Sequence, residues 1–415
     1  MTNYQEFIEW AKENGAILNE LSLNTYANNE RGIHSIKGIR KGKAIVKIPL
    51  KIIIHDGMGE ATDVGNIIKI YKNHFQNYKI IQVMIYMLLT YKNKDSFFSP
   101  YYNILPKNTS NFPIFWLKDD LKYMSGSNIL SQIIIRQNSI ISDYENICKF
   151  VPRFKTIATV KEFIWMRTIV GSRNFGININ GISRSAMVPI SDLLNHNIEP
   201  DVNWYFDNRD KYFKMVSNKY IRQNTPITDT YGNKSNIKYF LYYGFTIPNN
   251  ISDVLYVKLV HGSTNKQLKD ELCENVTGYL KIANESIFLN DLLYFLRVST
   301  SSQKVLKENR NPYFYRKITS SDRELIMLNA FKIYLNTLLK NYVYYEELKN
   351  GQLEKFSKKW NSFNLIDGEI NVIKFYLQQI EIAENIINGN NTDLIIKSNY
   401  LKMLQNFIEL DKKYQ

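Results

Sequence analysis

The sequence predicts an α+β fold: a β-rich core interrupted by a helical insert and followed by an all-helical C-terminal domain. Three observations carry this. Short β-like runs fill residues 17–55, apolar residues take up helical spacing from Tyr78, and β-like runs return after Phe175 before helical character resumes beyond Asp253. A chain of 415 residues is too long for one hydrophobic core, and 44% hydrophobic residues suffice for two or three packed lobes.

Taken in order, Phe7, Ile8, Trp10 and Ala11 recur at helical spacing with Gly15 beyond, which predicts a helix over 3–14 ended by a glycine. The run KAIVKIPLKIIIH reads as strand, and turn signals stand at Asn28-Asn29, Lys37-Gly38 and Lys41-Gly42. IIQVMIYMLLTY reads as a buried helix, and Pro100, Pro106 and Pro113 mark loops between helices of the insert. DVNWYFD and KYFKMVS restore strand character, and the stretch from Thr230 to Phe245 reads as strands and tight turns. Farther on, Ser321 and Glu324 are spaced as a capping box ahead of an apolar face at Leu325, Leu328, Phe331, Leu335 and Leu338. Ile373, Leu377, Ile380 and Ile387 form a second face, with Gly389 as its stop.

Composition narrows the function classes. Basic residues exceed acidic ones by 53 to 39, giving +14 and favouring anionic partners, but no Lys/Arg block concentrates that charge, so nucleic acid is not the expected partner. Cys148 and Cys273 make neither a disulfide framework nor a CxxC metal site, which points to a reducing compartment and no bound metal. The N-terminus lacks the pattern of a signal peptide, and no apolar run reaches membrane-spanning length. A soluble, monomeric, intracellular protein, cytoplasmic or nuclear, is expected.

Chemistry concentrates in Met187–Asn197, MVPISDLLNHN, where four apolar residues lead into Asp192, Asn195 and His196. Asn offers an acceptor and two donors and His adds ring and backbone partners, so the pair suits a polar, nitrogen-rich ligand. Alone, DLLNH reads as a capped turn, where Asp and Asn side chains bond local backbone. Its neighbours change that weighting: NERGIHSIKGIRKG, SRNF at 172–175, PISDLLNH at 189–196 and TYGNKSNIKYFLYYGF at 230–245.

Together these motifs resemble a SET domain. They resemble in particular the Rubisco large-subunit lysine methyltransferase group, which includes the actin-histidine methyltransferase. SPYYNILP, Phe115-Trp116, Gly126-Ser127 and NDLLYFLRVST extend the likeness over most of the chain. The resemblance implies a SET domain over 1–255, with an N-terminal helix at 3–14, a first part at 16–77, a helical insert at 78–170 and a second part at 171–255 threaded through a knot-like crossing. It implies that 256–415 form a helical substrate-binding domain that engages a protein partner.

The resemblance also implies S-adenosylmethionine as cofactor and assigns its contacts. Asn29 and Arg31 match the turn that touches the cofactor mainly through backbone, although the family's Glu-Gly-hydrophobic-Gly stands here as Asn29-Glu30-Arg31-Gly32. Arg173 matches the arginine facing the cofactor carboxylate, which a charged fork suits. Asn195 would bind the amino and carboxylate end, His196 the adenine edge through its backbone, and Phe175 and Phe245 would line the site. Tyr231 would align methyl group and nucleophile as the catalytic residue. Asp192 and Tyr243 would border the substrate channel. Lysine is the expected acceptor because Phe175 stands where the histidine enzyme carries an asparagine, and a ring that cannot hydrogen-bond an imidazole disfavours that substrate. Histidine methylation and a non-catalytic SET-fold binding module are the alternatives.

Overall fold

The structure, a computed structural model, describes residues 2–25, 31–274, 278–282, 289–389 and 401–406. It divides into two compact units, Met1–Phe115 with Ile133–Lys234 and Leu241–Gly244, and Trp116–Gln132 with Ser235–Phe240 and Phe245–Gln415.

The first unit holds eleven strands among its described residues: β1 (Ile17–Leu18), β2 (Leu21–Thr25), β3 (Arg31–Ser35), β4 (Ala44–Pro49), β5 (Ile54–His55), β6 (Asn174–Ile179), β7 (Ile182–Met187), β8 (Asn195–His196), β9 (Val202–Asp207), β10 (Tyr212–Ser217) and β11 (Thr228–Asp229). They form small sheets: β1-β4-β10-β9, β5-β7-β6, the hairpin β2-β3 and the parallel pair β8-β11. Along β10, Phe213, Met215 and Ser217 face inward and alternate with half-buried residues, the period-2 signature of a one-sided strand. Phe213 pairs Ile48 and Met215 pairs Val46, which joins the two halves of the expected core across the helical insert.

The N-terminal helix spans Asn3–Glu13, opened by a Thr2–Gln5 capping box and buried through Phe7, Trp10 and Ala11. Between β5 and the insert lie helices Asp56–Glu60 and Asp63–Ile70. A Cβ at Gly59 would stand 1.9 Å from the Gln82 carbonyl oxygen, so only glycine lets this segment meet the buried helix Tyr78–Thr90. The insert continues through Ile129–Phe150 to Val160–Arg173, whose start is fixed by a second capping box between Thr159 and Glu162. Its end is fixed by Asn174, which turns extended while its Nδ2 donates to the Val170 carbonyl at 3.1 Å. Arg173 is thereby held at the helix–strand junction. Asn180 and Gly181, both at positive φ, close the β6–β7 hairpin as a two-residue turn.

The second unit packs helices Leu289–Thr300, Ser321–Lys340 and Lys358–Ile387. Segments 116–132 and 235–240 belong to this unit, whose longest segment begins at Phe245. Side chains hold these segments together: Asn236 binds Asp253, Thr246 binds Asn361, Asp120 pairs with Lys358 and Ser127 donates to Glu369.

Three local expectations are corrected. Residues 236–243 form a helix, Asn236–Tyr243, because Ile237, Phe240 and Leu241 fall on one buried helical face. The region beyond Asp253 is not all helical: β12 (Leu255–Leu259) and β13 (Gly278–Ile282) pair antiparallel, and Leu255, Val257 and Leu259 bury one strand face. The cap of Ser321–Lys340 is Ser320, whose hydroxyl accepts from the Arg323 N–H. Glu324 is buried and pairs with Arg297 at 2.7 Å in place of a capping-box bond. No helix of the described residues is long and apolar enough to cross a membrane.

Candidate active site

The site is built where β8 and β11 lie parallel, Thr228 opposite Asn195 and Asp229 opposite His196. Two chain segments far apart in sequence are thus held in register. The approach to β8 is strained. Ile190, fully buried and β-branched, takes φ 70°, a region such residues avoid at a cost of roughly 1–3 kcal/mol. The turn Ser191–Leu193 follows directly and aims Asp192 inward.

Asp192 is the hub. Its Oδ2 accepts from the Tyr101 hydroxyl at 3.0 Å, and Arg173 reaches the same oxygen at 3.4 Å and the Asp192 carbonyl at 2.6 Å. Burial pushes the Asp192 carboxyl above its usual range, opposed by the positive charges of Arg173 and Arg31. Arg31 in β3 donates to the Ile104 carbonyl at 2.6 Å and to the Tyr4 hydroxyl, and burial, with Arg173 nearby, lowers its pKa. Asp192 therefore feels the charge of two guanidiniums, of which Arg173 touches it. Arg31 Nη2, Arg173 Nε and Asp192 Oδ1 are buried without a hydrogen-bond partner among the described residues. This group has donors for a carboxylate and an acceptor for an ammonium, so it fits the methionine end of S-adenosylmethionine.

Asn195, exposed beside it, donates through Nδ2 to the Arg31 carbonyl at 2.8 Å. The Tyr231 N–H donates to His196 Nδ1 at 3.0 Å, so that ring nitrogen is unprotonated. Burial, with Lys234 adding repulsion, takes the imidazole down to about 4, and it is neutral near pH 7.

Tyr231 lies between two rings, 5.1 Å from His196 and 4.9 Å from Tyr243, nearly parallel to both. Its hydroxyl donates to the Leu194 carbonyl at 2.8 Å. Burial raises its pKa, which keeps the phenol protonated. Gly232 follows at φ 84°, the backbone conformation this turn needs and glycine adopts without strain. The Lys234 ammonium donates to the Tyr231 carbonyl and lies 5.8 Å above the Tyr243 ring.

The structure brings together Arg31, Arg173, Asp192, Asn195, His196, Tyr231 and Tyr243. Phe175, on β6, packs edge-on against Trp204 and Phe213, each 5.2 Å away. Phe245 belongs to the second unit and stacks on Tyr239 at 5.3 Å, and the expectation for Asn29 falls outside the described residues. The side chain of Arg31 is more engaged than a backbone contact requires. Tyr101, Tyr4 and Ile190 carry no sequence signal for this site; SPYYNILP marked only the neighbourhood of Tyr101.

Residues 30–232 match the family model of the SET domain. The chain is 23% identical over 306 residues to the chloroplastic ribulose-1,5 bisphosphate carboxylase/oxygenase large subunit N-methyltransferase of Pisum sativum, covering 70% of this chain and 61% of that one. It is 21% identical to actin-histidine N-methyltransferase of Papio anubis, covering 74% and 54%. A ribosomal lysine N-methyltransferase of Schizosaccharomyces pombe is 26% identical over 55% of this chain and 41% of its own. The chain thus spans about half to three fifths of the first two relatives. Among solved structures, the SET domain of LSMT bound to lysine and AdoHcy matches with a TM-score of 0.75 at 20% identity, covering 100% of this chain and 99% of that one. Rubisco LSMT bound to AdoMet matches with a TM-score of 0.75 at 19% identity over 100% of both. Residues 30–232, just under half of the chain, thus match the SET domain, and the chain is similar in sequence to the Rubisco large subunit and actin-histidine N-methyltransferases.

Proposed function

We propose that the protein is an S-adenosylmethionine-dependent protein N-methyltransferase that acts on lysine. The observation that carries this reading is the buried Arg31–Arg173–Asp192 group, with its unpartnered polar atoms, beside Asn195 and the stacked Tyr231. S-adenosylmethionine, when bound, supplies an electrophilic methyl group on a sulfonium. Arg173 and Arg31 would hold its carboxylate, Asp192 and Asn195 its amino group, and the backbone around His196 its adenine edge. The relatives of similar sequence act, by their names, on the Rubisco large subunit, actin histidine and ribosomal lysine, and the solved neighbours are bound to AdoMet, or to AdoHcy and lysine.

Methyl transfer to an amine is an in-line displacement, so the protein's task is alignment and electrostatics. Tyr231, protonated and committed to the Leu194 carbonyl, orients the reacting groups and is not the base. A free lysine has a pKa of ~10.4, and desolvation beside the Tyr231–Tyr243 stack favours its neutral, nucleophilic form. The departing proton goes to solvent. Residues 256–415 are the expected platform for the substrate protein, and the knot-like crossing would run where β8 meets β11.

Lysine is favoured over histidine by the SRNF segment. Asn174, the nearest carboxamide to the Phe175 position, is already used: Nδ2 donates to Val170 and Oδ1 accepts from the Ser185 hydroxyl at 3.1 Å. Histidine as acceptor is the second reading and draws on the actin-histidine relatives.

Calorimetry tests the cofactor assignment. Asn195→Ala should weaken S-adenosylmethionine binding roughly tenfold with the fold intact, the effect of losing about 1.5 kcal/mol of hydrogen bonding to a charged group. Unchanged affinity in a folded variant contradicts it.

A further inference from the structure

A second group of buried charges lies in the helical insert, outside the cofactor site. Arg136 and Asp143 sit seven residues apart on one face of Ile129–Phe150, and Arg167 lies on Val160–Arg173. All three are buried, at 8%, 3% and 9% exposure, so water screens them poorly. Two arginines to one carboxylate leave an excess positive charge. Burial and the neighbouring Arg167 bring the Arg136 guanidinium down to about 10, and burial pushes the Asp143 carboxyl up to about 6.

The unpartnered atoms have a specific geometry. Arg136 Nε and Nη2, the two donors of one edge of its guanidinium, have no hydrogen-bond partner among the described residues, and neither do Arg167 Nε and Asp143 Oδ2. The same edge of Arg297 shows what it accepts: Arg297 Nε and Nη2 donate to the two carboxylate oxygens of Glu324 at 2.9 and 2.7 Å. A guanidinium fork of this kind matches a carboxylate bidentately. Arg136 therefore presents a buried carboxylate-binding edge with no carboxylate of the described residues on it.

Its place in the fold points to the source of the ligand. The Arg136 guanidinium lies 4.3 Å over the ring of Tyr242, which is 39% exposed. Tyr242 immediately precedes Tyr243 of the Tyr231 stack. A Cβ on Gly171, two residues before Arg173, would stand 3.5 Å from Arg136 Nη2. The group thus flanks the same two chain segments that carry Arg173 and Tyr243.

We propose that the Nε/Nη2 edge of Arg136, with Arg167 behind it, is a carboxylate-binding subsite that receives an Asp or Glu side chain of the methyl-accepting protein beside the modified residue. This rests on the methyltransferase reading. It gives the basic chain a local reason to select acidic sequence around its target.

Formate is the probe. In thermal unfolding of the full chain, sodium formate should raise the midpoint more than sodium chloride at equal ionic strength. Arg136→Gln and Arg167→Gln should each weaken the apparent formate affinity roughly tenfold or more, as expected for loss of charged hydrogen bonds. Asp143→Asn, which removes the competing negative charge, should tighten it. A purely structural cluster gives no formate-specific shift, or one that all three variants keep, and either result overturns the subsite. In the second arm, formate should inhibit transfer of labelled methyl groups to lysate proteins in the unsubstituted protein, and Arg136→Gln should be insensitive to formate with S-adenosylmethionine affinity unchanged. Formate binding without inhibition overturns the assignment to the substrate's carboxylate. If no methyl transfer occurs at all while formate still binds through Arg136, the methyltransferase reading fails and the subsite stands.

Discussion

Tyr231 makes three commitments at once: its hydroxyl to Leu194, its ring to His196 and Tyr243, and its N–H to His196 Nδ1. Removing only the hydroxyl keeps the stack and the backbone bond. Tyr231→Phe should therefore lower kcat by roughly 100-fold while S-adenosylmethionine affinity changes by less than about threefold, the pattern of an interaction used in the transition state and not in ground-state binding. Steady-state kinetics and calorimetry on the same preparation check it, and a Phe variant with near-normal turnover moves the catalytic role elsewhere. Part of this arrangement was legible in the sequence: Arg173, Asn195, His196 and Tyr231 stand in the motifs that carry the SET resemblance, and the structure brings them together. Ile190 was not legible, because a β-branched residue at φ 70° contradicts its own local preference and is held there by the surrounding fold. Nor was Tyr101, whose bond to Asp192 spans 91 residues.

At the scale of elements, misreadings arose where two periodicities overlapped. NIKYFLYY is rich in aromatics that favour strands, yet its apolar residues also satisfy a helical face, and the Asn236–Asp253 bonds anchor its start as a helix. LYVKL alternates cleanly, but it sits in a region otherwise helical and its partner β13 lies about twenty residues on, so the strand was masked by its surroundings. Two substitutions test the packing of elements. Gly59→Ala drives a methyl group into the Gln82 backbone and should destabilise the protein by roughly 1–3 kcal/mol in chemical denaturation. Glu369, inside Lys358–Ile387, accepts from Ser127 and Tyr342 at 2.8 and 3.0 Å, and burial pushes its carboxyl up to about 8. The folded state favours the protonated acid. Its stabilising contribution is therefore complete below the unfolded value near ~4.5 and is lost as pH rises toward 8. Glu369→Gln should flatten that loss, and parallel unfolding curves for the two proteins from pH 5 to 8 would contradict it.

For the whole molecule, the alternation of β-rich and helical stretches was readable because each periodicity runs long enough to dominate its window. The grouping into units was not. It depends on Asp120, Ser127 and Thr246 bonding to the helix Lys358–Ile387 more than a hundred residues later. Deleting 256–415 would strip those partners from the earlier segments, so the proposed role of the C-terminal helices is better probed by surface substitutions. The chemistry of the chain is tested most directly by incubating the full protein with methyl-labelled S-adenosylmethionine and a cell lysate, then mapping the labelled residue by mass spectrometry. Methyllysine on a discrete protein, abolished by Tyr231→Phe, is the expected result. Methylhistidine as the main product, or tight cofactor binding with no transfer, would contradict it.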